Sequence, residues 1–259
     1  MNARVASARV VLLLALNAGA LAATGAAQAQ SRSNMQQAAE ANTQLGLAYM
    51  RQGDLQGGRD KIEKALGQDP RNATVQTGAG FLYDRLGDDR RAEQHYTQAV
   101  KLSGENPDTV NNLAVFLCRK GDKRKGEEYF LKAAANPLYR TPEVAHTNAG
   151  RCARADQRLD DADKHFRRAL QLRPNFPDAL WQLADLSLEA GRALQARGFL
   201  ARYLEVSPES PATNWLGYRI ETAMSDAEAA ERYAMRLRGA YATSDETRNL
   251  LQLEQGGRP

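Results

Sequence analysis

The chain has 259 residues, with 35 basic and 31 acidic side chains, three histidines and two cysteines. Arg4 and Arg9 carry part of that small positive excess, and no basic block or basic–aromatic ladder stands out, which argues against nucleic-acid binding. Aromatics make up only 7%, which suits an all-helical chain. No CxxC pair or Cys/His cluster occurs, so no metal site is expected.

The first 29 residues have the form of an export signal. Arg4 and Arg9 precede an apolar run from Val10 to Leu16, and small residues follow, ending Ala27-Gln28-Ala29. A basic start, a short apolar core and an A-x-A close define a cleavable secretory signal peptide. The alternative is an uncleaved anchor, but the run is shorter than the roughly 20 residues that span a bilayer. Residues 30–38 are polar and are expected to be a flexible lead-in.

From residue 39 the chain repeats. RQGD stands at 51–54, RLGD at 85–88 and RKGD at 119–122, each 34 residues after the last. A period of 34 is that of the tetratricopeptide repeat, a pair of antiparallel helices that stacks on its neighbours. Its ruler places a large apolar residue at position 7, a small one at 8 and a small one at 20. A large, mostly aromatic residue stands at 24. The first repeat starts at Ala39 (Leu45, Gly46, Gly58, Ile62) and the second at Ala73 (Ala79, Gly80, Ala92, Tyr96). The third starts at Pro107 (Leu113, Ala114, Gly126, Phe130) and, after a two-residue insertion, the fourth at Glu143 (Ala149, Gly150, Ala162, Phe166). The fifth starts at Pro177 (Leu183, Ala184, Ala196, Leu200), and a degenerate sixth near Ser210 (Gly217, Ile220, Ala229, Tyr233). The expected fold is all-α, a right-handed superhelical stack of about six repeats over 39–242. Residues 243–259 form a polar cap helix and a tail.

The Gly-Asp pairs are the turns inside each repeat. Gly ends the first helix in a left-handed conformation, Asp caps the second, and the preceding Arg favours the negative end of the first helix dipole. Gln157 replaces that Gly in the fourth repeat, so its turn is expected to be less tightly built.

Cys118 and Cys152 fall late on the first helices of repeats three and four, at ruler positions 12 and 10. Neighbouring helices lie about 8–10 Å apart between axes, so facing thiols come within bonding reach. In an oxidising compartment they are expected to pair; two free buried thiols are the alternative. His95 and His165 both take position 23, a repeat-level surface position with a structural role, and His146 has no nucleophile beside it. No G-x-S-x-G, H-E-x-x-H or phosphate loop is present, so neither an enzyme nor a cofactor is expected.

What remains is binding of another protein, in the concave groove that first helices line. Ruler positions 2, 5, 9, 12 and 13 place Phe81, Arg85, Asn111, Val115, Arg119, Arg151, Trp181 and Tyr218 there. Aromatic, aliphatic and arginine side chains suit an extended or helical peptide, with Trp181 and Tyr218 as anchors. Trp181 and Val115 have packing between helices as an equal alternative.

Several segments add up to a resemblance. NNLAVFLC at 111–118, ANPLYRTPE at 135–143, NAGRCA at 148–153, ARYLEVSP at 201–208 and WLGYRIE at 215–221 resemble the type IV pilus biogenesis/stability family, PilW or PilF. ANPLYRTPE is the most specific, because it occupies the insertion between repeats three and four. The resemblance spans roughly residues 38–250. It implies a six-repeat, non-enzymatic protein of the periplasmic face of the Gram-negative outer membrane. Such a protein acts as a pilotin or stabilising factor for the secretin and is needed for piliation and twitching motility. The expected partners are the outer-membrane secretin or other pilus assembly proteins, with no nucleic acid and no small-molecule substrate. Members are usually lipoproteins, whose signal closes on a Leu-Ala-Gly-Cys type motif. Here LNAGALAAT at 16–24 puts Ala20 at the cysteine's place, so no lipid anchor is expected. A general periplasmic scaffold for envelope assembly is the runner-up. It shares the repeats and the export signal but leaves ANPLYRTPE unexplained.

Overall fold

A computed structural model describes residues 30–256, so the expected signal peptide and the last residues of the tail lie outside the described residues. The described residues hold thirteen α-helices and no strand: α1 (30–51), α2 (Leu55–Gln68), α3 (Ala73–Arg85), α4 (Asp89–Leu102), α5 (Pro107–Lys120), α6 (Lys123–Ala135) and α7 (Pro142–Ala155), then α8 (Leu159–Leu172), α9 (Pro177–Glu189), α10 (Ala193–Val206), α11 (Pro211–Ala223), α12 (Ala227–Ala240) and α13 (Asp245–Glu254). Odd-numbered helices through α11 are the first helices of the six repeats and even-numbered ones the second. Residues 30–38 are helical rather than irregular. Their Gln, Met and Ala are good helix formers and extend α1 by two exposed turns.

The chain divides into two compact units, and the boundary falls within α5, between Asn112 and Leu113. In the first unit α3 packs along α4 and α2 against α3. In the second, α7/α8, α9/α10 and α11/α12 are the tight pairs, α6 to α11 join each to the next, and α13 closes on α11 and α12.

The ruler's small and large positions interlock. A side chain added at Gly80 would come within 2.8 Å of the Tyr96 ring, at Gly150 within 2.5 Å of Phe166, and at Gly217 within 2.5 Å of Tyr233. The absent Cβ lets the aromatic of the second helix lie directly on the backbone of the first. Phe166 is fully buried, which contributes about 2–3 kcal/mol relative to exposure. Ala162, Leu180, Leu183, Leu200, Leu216 and Ile220 continue that core through unit two. Position 7 is buried in repeats two to six, but Leu45 in the first is 41% exposed.

The turns behave as a family. Gly53, Gly87, Gly121 and Gly191 have positive φ, and Gln157 and Ser225 adopt the same conformation at φ 59°. The backbone bond that closes the turn is as short at Gln157 as at the glycines: Arg158 N donates to Ala153 O at 2.9 Å, Asp88 N to Tyr83 O at 2.8 Å and Arg192 N to Ser187 O at 2.8 Å. The expected loosening is therefore absent, because Gln157 takes the strained backbone instead of opening the turn. Asp54, Asp88 and Asp122 each cap the following helix, accepting from Gly57 N, Arg91 N and Lys125 N at 2.8, 3.0 and 3.2 Å. In repeats four and five Arg158 and Arg192 stand at the capping position, with no side-chain cap.

Cys118 on α5 and Cys152 on α7 are joined by a disulfide, with Cα atoms 5.7 Å apart. In the C-terminal cap, Ser244 accepts from Thr247 N at 3.1 Å to start α13, and Leu250 is fully buried with Ala234 and Leu237.

Candidate partner-binding face

The first helices present two chemically different faces. In unit one, Phe81 is half-buried on α3 and lines a solvent-open trough of about 510 Å³, together with Leu47 of α1, Thr74, Thr77 and Gly78 of α3, and Tyr96 of α4. Residues of the α4–α5 turn and the start of α5, among them Ser103, Asn106, Asp108 and Thr109, complete the wall. Ser103 and Thr109 share a hydrogen bond of 2.7 Å, and Thr77 donates to Ala73 O at 2.9 Å. The hydroxyls of Ser103, Thr109 and Thr77 are thus paired locally, and Asp108 is the one charged residue among those lining the trough. Arg85 is exposed in the last turn of α3. Asn111 is half-buried, with a buried Oδ1 that has no hydrogen-bond partner.

In unit two the face is crossed by ion pairs. Arg151 of α7 is exposed and reaches Asp178 of α9 at 3.5 Å. Arg154, one turn on, holds Asp185 at 2.6 Å and Glu189 at 2.5 Å, and donates to Gln182 Oε1 at 3.2 Å. Arg219 of α11 approaches Asp185 from the other side at 3.7 Å. Burial works against the Arg154 charge, but the hydrogen bonds and charges of Asp185 and Glu189 outweigh it and raise the guanidinium above its ordinary pKa. Positions 12, 9 and 13, all among those named for the groove, give Arg154, Asp185 and Glu189. These three were within reach of the sequence but were not among the expected groove residues.

The remaining expected groove residues are spread along unit two. Val115 is 43% exposed on α5, and Arg119 is exposed at the end of the same helix. Trp181 is half-buried, its ring centroid 5.6 Å from that of Tyr203 and packed on the unit-two core. Tyr218 stacks on Trp215 at 5.6 Å beside the cluster that α13 closes. Both aromatics therefore pack against core while keeping part of their surface open.

The histidines are more buried than position 23 alone implies. His95 is half-buried, with Nδ1 2.7 Å from Gln76 Oε1 and its ring stacked on Tyr83. His165 reaches back to Glu127 of the preceding repeat at 2.9 Å, and Arg158 pairs with the same carboxylate. Among the described residues no group of three His, Cys, Asp or Glu side chains is placed to hold a metal, and no helix is long and apolar enough to cross a membrane.

Paired helices in a 34-residue period, with small residues under aromatics and an open face on the first helices, define a tetratricopeptide-repeat protein. Profiles of the tetratricopeptide repeat match residues 7–73, 73–106 and 153–213, and no catalytic family is indicated. No curated protein matches the chain. Among solved structures it is similar to PilW, a widely conserved type IV pilus biogenesis factor. The identity is 30% over 82% of this chain and 98% of PilW, with a TM-score of 0.73. It is also similar to PilF of Pseudomonas aeruginosa (22% identity, 84% and 98% covered, TM-score 0.70) and to a tetratricopeptide-repeat protein of Parabacteroides merdae (19%, 82% and 82%, 0.58). Those two likenesses bear on the fold alone. The chain belongs to the tetratricopeptide-repeat family of type IV pilus biogenesis factors that includes PilW.

Proposed function

We propose that this protein is a non-enzymatic scaffold of type IV pilus biogenesis that assists localisation or multimerisation of the outer-membrane secretin, or stabilises the pilus. It works from the periplasm, peripheral to the outer membrane, after export by the signal in residues 1–29. It binds its partner through the faces of its first helices, where Phe81, Arg85, Asn111, Val115, Arg119, Arg151, Trp181 and Tyr218 stand. The observation that carries this reading is the likeness to PilW, 30% identical over 98% of that chain. It is supported by faces that hold aromatic and arginine side chains, the residue types that anchor interfaces.

The test is a deletion strain in which heat-resistant secretin multimers are run on a denaturing gel and surface pili are counted. Joint loss of multimers and pili is the expected result and assigns the protein to secretin assembly. Normal multimers with few pili assign it to pilus stability. Normal multimers and normal pili overturn the pilus reading and leave a general envelope scaffold.

A further inference from the structure

On the second helices of unit two, one cation recurs in every repeat. Arg168, Arg202 and Arg236 stand 34 residues apart, and Lys132 takes the same place in repeat three, ahead of the two-residue insertion. Each follows by two residues a buried side chain of its own helix: Phe130, Phe166, Leu200 and Ala234. Two residues are about 200° of helix rotation, so the cations point away from the core. Lys132, Arg168 and Arg236 are exposed and Arg202 is half-buried.

One turn further on, on the same face of each helix, stand Leu172 and Val206, both 40% exposed, and the exposed Ala240. In repeat three the apolar residue is Leu138, just past the end of α6 and 81% exposed. Its outward position is fixed, because its N–H donates to Asn136 Oδ1 at 2.9 Å and the next residue, Tyr139, is buried. Among the described residues, Arg168 donates to the Gln171 carboxamide at 3.0 Å and Arg202 to the carbonyl of Pro174, and neither is in an ion pair. Arg236 approaches Glu209 at 3.5 Å. Between each cation and the residue four further on, Glu205 is the one carboxylate. One turn earlier the helices are mixed, with Glu128, Lys164, Gly198 and Arg232, so the positive row is confined to the half that ends in the apolar residues.

We infer that this edge of unit two docks on an anionic phospholipid surface, with the cations on lipid phosphates and Leu138, Leu172 and Val206 entering the headgroup region. This deepens the peripheral membrane location in the proposed function and rests on that reading. A cation near a helix C-terminus also complements the helix dipole, but that leaves the exposed leucines without a role. An acidic protein segment would pair with the cations and leave the apolar row in water. A lipid surface satisfies both rows, since basic residues and apolar side chains on one face are what interfacial binding uses.

The probe is cosedimentation of the purified protein with vesicles of phosphatidylethanolamine and phosphatidylglycerol, against vesicles of phosphatidylethanolamine and phosphatidylcholine. Salt is held at about 0.1 M, where charges more than about 10 Å apart are screened. Binding to the phosphatidylglycerol vesicles is expected to be at least about ten-fold tighter, since each cation at a charged surface gives about five-fold. Arg168→Gln/Arg202→Gln should lose about ten-fold or more of that binding. Lys132→Gln/Arg168→Gln serves if the first pair melts early. Arg90→Gln/Lys101→Gln, which removes the same charge from exposed positions of α4 in unit one, should change it by less than about two-fold. Leu138→Asn, at the most exposed of the apolar positions, should weaken binding about three- to ten-fold, the scale of a partly buried leucine.

The inference is overturned if the two kinds of vesicle bind equally or not at all, if well-folded variants of both unit-two pairs bind as wild type does, or if the α4 pair costs as much as they do. It is equally overturned if the unit-two pairs lose binding and Leu138→Asn does not, because charge alone would then hold the protein. These readouts need only protein and lipid. Fractionation of cells tests the proposed location separately, and the pili of the deletion strain test the pilus role, so each can fail alone.

Discussion

Gln157 holds a left-handed backbone at φ 59° where four other repeats have glycine. For a residue with a Cβ that conformation costs roughly 1–2 kcal/mol. The turn around it nevertheless makes the same closing hydrogen bond as its glycine counterparts, so the strain sits at one residue and does not spread. Gln157→Gly should remove it. The greater freedom of glycine in the unfolded chain offsets about 0.5–1 kcal/mol of that gain. The expected outcome is a net stabilisation of about 0.5–1 kcal/mol, seen as a higher denaturant midpoint with an unchanged slope. A lower midpoint would mean that the Gln157 side chain makes a contact worth more than the strain.

At the scale of elements, Arg158 and Arg192 give up the helix cap that Asp provides elsewhere and reach back to the preceding repeat. Arg158 pairs with Glu127 of α6, and Arg192 comes within 3.5 Å of Asp163 of α8. The helix pairs themselves were legible in the sequence because a fixed period repeats the same small and large residues, and backbone geometry follows from those. The cross-repeat ion pairs were not, because long flexible side chains choose partners about one period away among several charges of each sign. The same holds for Arg154, whose partners Asp185 and Glu189 lie 31 and 35 residues on. Where these networks are buried they make the protein acid-sensitive. His146 of α7 is half-buried, faces His165 and Arg168 of α8, and has a buried Nδ1 without a partner. Burial first, then the two neighbouring charges, lowers its pKa from 6.5 to about 4. A base depressed in the folded state binds its proton more readily when unfolded. Its contribution is therefore complete above pH 6.5 and is lost as the pH falls towards 4. Glu127 adds to the slope lower down: burial opposes its ionisation, but hydrogen bonds from Arg158 and His165 outweigh it and hold the carboxyl below its ordinary value. The urea midpoint should therefore fall between pH 6.5 and 4. His146→Gln should flatten that interval while leaving the fall at lower pH. A wild-type midpoint constant down to pH 4 would contradict the assignment.

In the whole molecule, packing is local: within each unit, helices touch the next one or two in sequence, and α13 closes the last pair. In such a stack, stability is close to a sum of repeat and nearest-neighbour terms, so a cross-link acts on the interface it spans. The disulfide between Cys118 and Cys152 joins the first helices of repeats three and four across 34 residues. It is flanked by Ala114, Phe130 and Ala149. Closing a loop of that length stabilises by about 2–4 kcal/mol through the unfolded chain. The Cys118→Ser/Cys152→Ser double variant should lose about that much, and reduced wild-type protein should match it. Nearest-neighbour packing also fixes where the loss is felt. Amide hydrogen exchange should quicken in α5 to α8 and stay nearly unchanged in α11 to α13, because no bridged helix touches that end. A uniform quickening through α13 would show instead that unit two opens as one cooperative block. Its core from Ala153 to Ile220 would then bind the repeats more strongly than nearest-neighbour addition allows.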